Sequence, residues 1–492
     1  MRLVELLVKT GLEISGVSID PEVTGVALDS RLVQPGYVFC AAPGIALAGR
    51  VPLDGHDFIA AAIQRGAVAV VGSSDLKLTV PYIRTPKPRG ACALLSSEVW
   101  GRPQDKLSVI GVTGSKGKST TVTLIHHLLE SAGISAARMS TIGVRFAGHD
   151  ELLPGHFTTP ESPQVFELLH RFAESGCTHA VLEVSSHALE LERVTGIGFD
   201  IGVWVNFYAD DHIDFHGSEA AYLAAKRKLL ERSRFAILNS AQPYYAAITG
   251  VPEEQETFGQ TSSDDWSVKR LEETASGLNL EIASPLGDFT AFVPMIGAFN
   301  AMSVLAALAV AARVGLSVAQ MQAGLATFAG VPGRMQILQA APFRVINDFA
   351  HTGVSLQAAL ETLRGSTTGR LIVVVGAAGQ RDPARRGGIA SAAAQKTDLT
   401  IFTEEDHRTE SLTAILEQMK SAYLAAGGDA AQLEIILDRR DAIEYAMRIA
   451  NAGDTVLLAG KGHERTLERG DQTIAWDEEA EARAAIARLQ TQ

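Results

Sequence analysis

The stretch Val109–Thr121, VIGVTGSKGKSTT, constrains this chain more than any other. The apolar run Leu107 to Val112 predicts a buried strand, and the periodic apolar stretch Val122 to Leu129 predicts a helix. Between them Gly114-Ser115-Lys116-Gly117-Lys118-Ser119-Thr120 makes a glycine-rich turn. Strand, turn and helix in that order form a phosphate cradle, because backbone N–H groups of the turn and the helix N-terminus converge on an anion. Lys118 is expected to reach the β- and γ-phosphates, and the Ser119 hydroxyl to hold Mg²⁺. The residues obey G-[ST]-x-G-K-[ST]-[ST]; Val112 stands where the longer phosphate-loop motif has its first glycine. A plain turn before a core helix needs one glycine, not the Gly-Lys-Ser-Thr tail.

The rest of the chain supplies room for more than this one site. Its 492 residues suffice for about two to four domains, each able to bury its own core. A net charge of −13 with no basic stripe argues against a nucleic-acid partner. Cys40, Cys92 and Cys177 are scattered without metal-ligand spacing, as suits core residues in a reducing compartment. The N-terminal MRLVELLVKTGLEISG carries Glu5 and Lys9 within its apolar part, so it reads as an amphipathic helix and not as a signal peptide. Ala301–Leu316, the longest apolar helix candidate, contains Ser303 and Arg313 and is too short and polar to span a bilayer. A cytoplasmic protein without membrane insertion is expected.

An α/β rhythm runs through the whole length. Residues 1–100 alternate short strands (Val23–Asp29, Tyr37–Ala42, Ala67–Val71) with a helix at Phe58–Arg65, and predict a small α/β domain. Residues 101–332 hold the phosphate loop, strands at His179–Val184, Ile201–Val205 and Ala236–Asn239, a polar β-rich excursion from 252 to 293, and a long apolar helix after Asn300. They predict a central P-loop-type ATPase domain with a mostly parallel sheet. Val331-Pro332-Gly333-Arg334 reads as a joint. Residues 333–492 predict a C-terminal Rossmann-like α/β domain, whose strands Leu371–Val375, Leu399–Thr403 and Asp454–Leu458 each end in a charged or glycine-rich cluster. Doubly wound sheets gather such ends along one crevice.

Phosphoryl transfer needs metal ligands near the phosphates. Glu183, ending an apolar strand, and His212, in the loop after the next strand, are the candidates. Ser218 is placed to cap the following helix, which carries Tyr222 and Lys226 on one side. By spacing alone Lys226 is a solvated lysine on an alanine-rich helix. Past the strand ends of the last domain stand Arg381 and Arg408, which suit carboxylates, with acidic Asp406 and Glu464. Together they suit a zwitterion such as an amino acid. ATP at one site and an amino acid at another suggest ATP-driven amide formation through an acyl phosphate.

These residues resemble those of the Mur ligase family from the first domain to the last. Asp29-Ser30-Arg31, PGYVFCA, Asp54-Gly55-His56-Asp57-Phe58 and GAVAVV are similar to the branch that adds the third residue of the peptidoglycan stem peptide. The resemblance implies an ATP- and Mg²⁺-dependent ligase, a monomer, joining a diamino acid to UDP-N-acetylmuramoyl-L-alanyl-D-glutamate. It implies that Gly114 to Thr120, Asn300, Arg334 and Asp348 bind the nucleotide. Ser30, Thr158, Thr159, Ser185 and Arg193 fall where the family holds the UDP substrate. Glu183 and His212 fall on metal-ligand positions, and Lys226, in YLAAKRKLL, on a carbamylated lysine, which reverses the solvated reading. Arg381, Asp406, Arg408, and Gly460 and Glu464 of GKGHE fall where the incoming amino acid is held.

The chain departs from the family at Ser303, Phe349, Gly353 and Arg385-Arg386-Gly387, and reads Glu405-Asp406-His407-Arg408 where the family has Asp-Asn-Pro-Arg. An acidic Asp406 in place of a neutral Asn would repel a second carboxylate, at about 4 kcal/mol for charges ~4 Å apart near a surface. That favours lysine or ornithine as the added residue, whereas Arg408 favours meso-diaminopimelate. A sibling ligase acting on another carboxylate would lack the DSR and DGHDF patterns. A P-loop nucleotide switch would need a guanine-reading N-K-x-D, and the chain has none.

Overall fold

Short parallel strands open the chain because its first apolar runs are short and separated by capped turns. The computed structural model describes residues 1–13, 19–44, 53–153, 158–208, 213–274 and 276–490. Strands β1 (Gly25–Ala27), β2 (Tyr37–Ala41), β3 (Ala69–Gly72) and β4 (Tyr82–Arg84) pair in that order, all parallel. The amphipathic segment at the N-terminus is a helix over Leu3–Thr10, and Leu3, Leu6 and Leu7 are its buried stripe. It ends at Gly11, left-handed at φ 68°, whose N–H closes back on Leu7 and Val8 carbonyls. That helix and the helix Pro88–Val99 share one core with Val38, Cys40 and Val71 on one face of the sheet.

Two expected elements are shorter than their apolar runs, because aspartates cap turns inside them. The strand expected over Val23–Asp29 is only β1, since Asp29 accepts the Arg31 N–H and closes a 3₁₀ turn at Ser30–Leu32. The helix expected at Phe58–Arg65 begins as a 3₁₀ turn, Gly55–Phe58, capped by Asp54, and is α-helical over Ile59–Gln64.

Two compact units make up the chain: Met1–Ser267 with Ala283–Gly287 and Met302–Met321, and Val268–Ile282 with Asp288–Ala301 and Gln322–Gln492. In the first, β5 (Ser108–Thr113) lies mid-sheet, flanked by β9 (His179–Glu183) and β10 (Phe199–Trp204). β6 (Ala136–Ser140) continues past β9; β11 (Ser233–Asn239) and β12 (Gln255–Gly259) continue past β10, all parallel. Beyond β6 the antiparallel β7 (Gly143–Phe146) and β8 (His149–Glu151) close the edge. A parallel strand in mid-sheet is covered on both faces, which is why β5 reads as an unbroken apolar run. Gly111 within it is obligatory: a Cβ there would come within 2.7 Å of Leu229 and Phe199. The β5 run ends where the backbone must turn to present the phosphate loop.

The polar excursion supplies β13 (Trp266–Thr274), β14 (Gly277–Ala283) and β15 (Phe289–Val293), with β14 and β15 antiparallel. The second unit also holds β16 (Gln336–Gln339), β17 (Arg344–Asp348), β18 (Leu371–Val375), β19 (Leu399–Phe402), β20 (Leu433–Ile435) and β21 (Thr455–Ala459). Their order is β16-β17-β21-β18-β19-β20, parallel except for β16. All five side chains of β18, LIVVV, are buried, each worth roughly 1.5–3 kcal/mol against exposure, and this fixes where the strand's C-terminal end delivers the residues that follow. Beyond β21 a hairpin of β22 (Thr466–Arg469) and β23 (Gln472–Ala475) follows the GKGHE segment. The fold class is the expected one: α/β, with mostly parallel sheets. No helix of the described residues is long and apolar enough to cross a membrane.

Candidate active site

The turn after β5 folds as a phosphate loop. Gly117 is left-handed at φ 79° and caps the helix Lys118–Ser131, so the N–H groups of that helix's first turn are free of intrahelical partners. The other side of the loop is pinned by the end of β10. Asn206 accepts the Ser115 N–H on its carbonyl at 3.1 Å and the Lys116 N–H on its Oδ1 at 2.9 Å. Lys118 Nζ donates to the carbonyls of Gly114, 3.0 Å, and Ser115, 3.1 Å, which holds its charge over the loop. Lys116 is exposed beside the Tyr208 ring.

Ser119 and Glu183 meet. Glu183 is 2% exposed at the end of β9, and its Oε2 accepts from Ser119 Oγ at 2.9 Å and from the N–H and hydroxyl of Thr141 at 3.0 and 3.2 Å. A hydroxyl and a carboxylate adjoining a phosphate loop are the oxygen donors that Mg²⁺ takes. Thr141 follows β6 and gave no signal in the sequence. His212 lies outside the described residues. Its neighbour His216 bonds Ser186 Oγ at 3.0 Å.

Lys226 is not solvated. Ser218 caps its helix, Glu219–Arg227, by accepting the Ala221 N–H, and the face that follows turns inward. Lys226 is 1% exposed, its Nζ donates to Gly114 O at 2.7 Å, and it lies 4.8 Å above the Tyr222 ring. Two lysines, 118 and 226, therefore share the Gly114 carbonyl.

Thr159, Ser185 and Arg193 form one network running back to Glu183. Thr159 Oγ1 donates to the Glu183 carbonyl at 2.8 Å and accepts the Ser185 N–H at 3.1 Å. Ser185 Oγ caps the helix Ser186–Glu190. Arg193 donates to Thr159 O at 3.0 Å and to Glu161 at 2.6 Å, and Arg89 reaches the same carboxylate at 3.3 Å. Glu161 was not foreseen, although it sits in the same TTPES run. Thr158 is half-buried beside this network, and Ser30 opens the turn capped by Asp29.

In the second unit, Asn300 starts its helix and donates to Ile296 O at 2.7 Å. Asp348, at the end of β17, accepts from the N–H groups of Met335, 2.7 Å, and Ala350, 2.9 Å; burial raises its carboxyl above the usual range. Arg334 lies 5.0 Å over Phe349, whose ring also faces His351 and His463. Burial, then the charge of Arg334, lowers His463 to about 4, so it is neutral at physiological pH.

Asp406 and Glu464 meet at Lys461, which is fully buried. Its Nζ bonds Asp406 Oδ1 at 2.8 Å and Glu464 Oε2 at 2.6 Å. Asp406 also accepts the Glu468 N–H at 3.0 Å. The bare negative charge expected at Asp406 is thus met by an ammonium inside the protein. Arg408, at φ 51°, donates to Glu468 at 2.5 Å and to Gly379 O at 2.6 Å, so its guanidinium is already paired. Arg381 is exposed and bonds none of the described residues. Gly460, φ 105°, must lack a side chain, because a Cβ would lie 2.7 Å from Glu405 Oε2.

Glu405 is buried, and its Oε2 has no hydrogen-bond partner among the described residues. Burial, outweighing the attraction of Arg439 and Lys461, pushes its carboxyl up to about 7. Between the ordinary glutamate value and about 7 the native state holds a proton that the unfolded chain has lost. The group therefore lowers stability as pH rises through that window. Glu405→Gln removes the cost: near pH 4 the two proteins should unfold alike, and near pH 8 the variant should be more stable by roughly 3 kcal/mol in urea titrations. Equal stability gaps at both pH values would contradict this.

Family profiles cover most of the chain. The Mur ligase family catalytic domain matches residues 22–98, the Mur ligase middle domain 112–311, and the Mur ligase glutamate ligase domain 333–462. The chain is 45% identical over 476 residues to the UDP-N-acetylmuramyl-tripeptide synthetase of Deinococcus radiodurans, covering 95% of each. It is 35% identical over 480 residues to the UDP-N-acetylmuramoyl-L-alanyl-D-glutamate–2,6-diaminopimelate ligase of Geobacillus thermodenitrificans, again covering 95% of each. A solved structure of a ligase with that latter activity superposes with a TM-score of 0.71 at 29% identity, over 97% of this chain and 98% of the other.

Proposed function

This chain belongs to the Mur ligase family, and on that premise we propose that it joins a diamino acid to UDP-N-acetylmuramoyl-L-alanyl-D-glutamate as the third residue of the peptidoglycan peptide. It is an ATP-dependent amide ligase. The observation that carries the reading is the phosphate loop, with Lys118 over its carbonyls and the Ser119–Glu183 pair beside it. The use of ATP and of a UDP-linked precursor supports a cytoplasmic site of action.

Each residue takes a role that its position suits. The loop of residues 114–120 binds the phosphates through those of its N–H groups not spent on Asn206, and Lys118 offsets the charge spread over the transferring phosphoryl group. Asn300, Arg334 and Asp348 hold the rest of the nucleotide. Ser30, Thr158, Thr159, Ser185 and Arg193 hold the UDP substrate, with Arg193 aimed by Glu161. One of the two free carboxylates of the D-glutamate takes the γ-phosphoryl group and ADP leaves. The amine then attacks the acyl carbon, inorganic phosphate departs and the amide forms. Mg²⁺, bound by Ser119, Glu183 and His212, would neutralise phosphate charge.

Lys226 is proposed to carry a carbamate. Its neutral amine adds to CO₂, the N–C bond forms, one proton is released, and the product is an anion able to bind a second Mg²⁺. Protein equilibrated with ¹³CO₂ should give a carbamate resonance that Lys226→Met abolishes. Persistence of the resonance in the variant would contradict the assignment.

Two readings of the added residue differ in charge at the far end. The printed activity of the 35% identical relative supports diaminopimelate. The commitment of Arg408 to Glu468, which leaves its guanidinium already paired, supports lysine or ornithine. Purified protein given ATP, the UDP-muramoyl dipeptide and each amino acid in turn should yield an amide product by mass with a diamino acid, and ATP hydrolysis should require the dipeptide. Hydrolysis that ignores the dipeptide would overturn the ligase reading.

A further inference from the structure

The phosphate loop is held from behind by a tyrosine that no phosphate contact requires. Tyr222 is fully buried one helical turn before Lys226, so both point from the helix Glu219–Arg227 toward the loop. Lys226 takes the Gly114 carbonyl; the Tyr222 hydroxyl takes the next residue, bonding Ser115 Oγ at 2.9 Å. Ser115 Oγ also accepts the Tyr208 N–H at 3.0 Å. The Ser115 side chain is buried and engaged on both sides, so it belongs to the loop's frame and leaves the phosphates to the backbone N–H groups. The Tyr222 ring is fixed in turn, 4.8 Å from Phe207 and 5.1 Å from His216.

We infer that Tyr222 is a positioning residue for nucleotide binding, acting through the Ser115 hydroxyl to hold the phosphate loop in its binding shape. The inference rests on the ligase reading only for its kinetic readout. A loop already held loses less freedom when a phosphate arrives, so the tie contributes equally to bound substrate and transition state. Its loss should appear in the KM for ATP and not in kcat.

Tyr222→Phe keeps the ring and removes only the hydroxyl. The KM for ATP should rise about five- to tenfold, the range expected for one buried hydrogen bond. The kcat, the KM values for dipeptide and amino acid, and the melting temperature should stay near those of the wild type. Ser115→Ala should reproduce the change, and the double variant should add nothing, because both substitutions cut the same link. Additive effects, an unchanged KM for ATP, or equal rises in all three KM values would overturn the inference. Titration calorimetry of the same four proteins with ATP·Mg²⁺ separates it from the ligase reading. Amide formation absent from the wild type would sink the ligase reading alone, whereas equal ATP affinity across the four would sink the role of Tyr222.

Discussion

The carbonyl of Gly114 accepts from two lysines at once, Lys118 from its own helix and Lys226 from a helix far along the chain. Much of the first unit serves that convergence. β5 must be buried on both faces to end at a fixed point, and Gly111 must be bare so that Leu229 and Phe199 can pack on it. β9 must end in Glu183 to meet Ser119, and β10 must deliver Asn206 two residues past its end to pin residues 115 and 116. Lys118 over the loop makes a local positive field where a polyphosphate is to be received, inside a protein whose net charge is −13. An acidic surface and an anion site are compatible because the field is local.

The second unit manages charge differently. Lys461 and Arg439 are buried, each against carboxylates: Lys461 with Asp406 and Glu464, Arg439 with Glu478. Buried ions persist only where their partners are close and well aligned. Here both networks stand at the C-terminal ends of β19 and β21, where doubly wound sheets place ligands. Glu405 is the exception, a buried carboxyl with one oxygen unbonded among the described residues, and its raised proton affinity is what such burial produces.

What could be read in the sequence was what local chemistry dictates. The phosphate loop, β18 and the strand end at Glu183 are set by short apolar runs closing on glycine or polar residues, so they were legible directly. The bounds of β1 and of the Phe58 helix were not, because Asp29 and Asp54 spend their side chains on turns that an apolar pattern does not report. Lys226 looked solvated because neither its helix nor its spacing discloses that a loop more than a hundred residues earlier offers it a carbonyl. Thr141 and Glu161 act only through tertiary neighbours, and so does Lys461 toward Asp406. Asp406 looks unpaired in the sequence because the ammonium that meets it lies 55 positions away in the chain.

The central claim is that ATP is spent to activate a carboxylate as an acyl phosphate on the phosphate loop of the first unit. Isotope transfer tests this most directly. A UDP-muramoyl dipeptide labelled with ¹⁸O in both free carboxylates of its D-glutamate is turned over with ATP and the diamino acid. The account predicts one labelled oxygen in each inorganic phosphate released, because the bridging oxygen of the acyl phosphate leaves with phosphorus when the amine attacks. Amide formation with ADP and wholly unlabelled phosphate, or with the label carried into AMP, would contradict it.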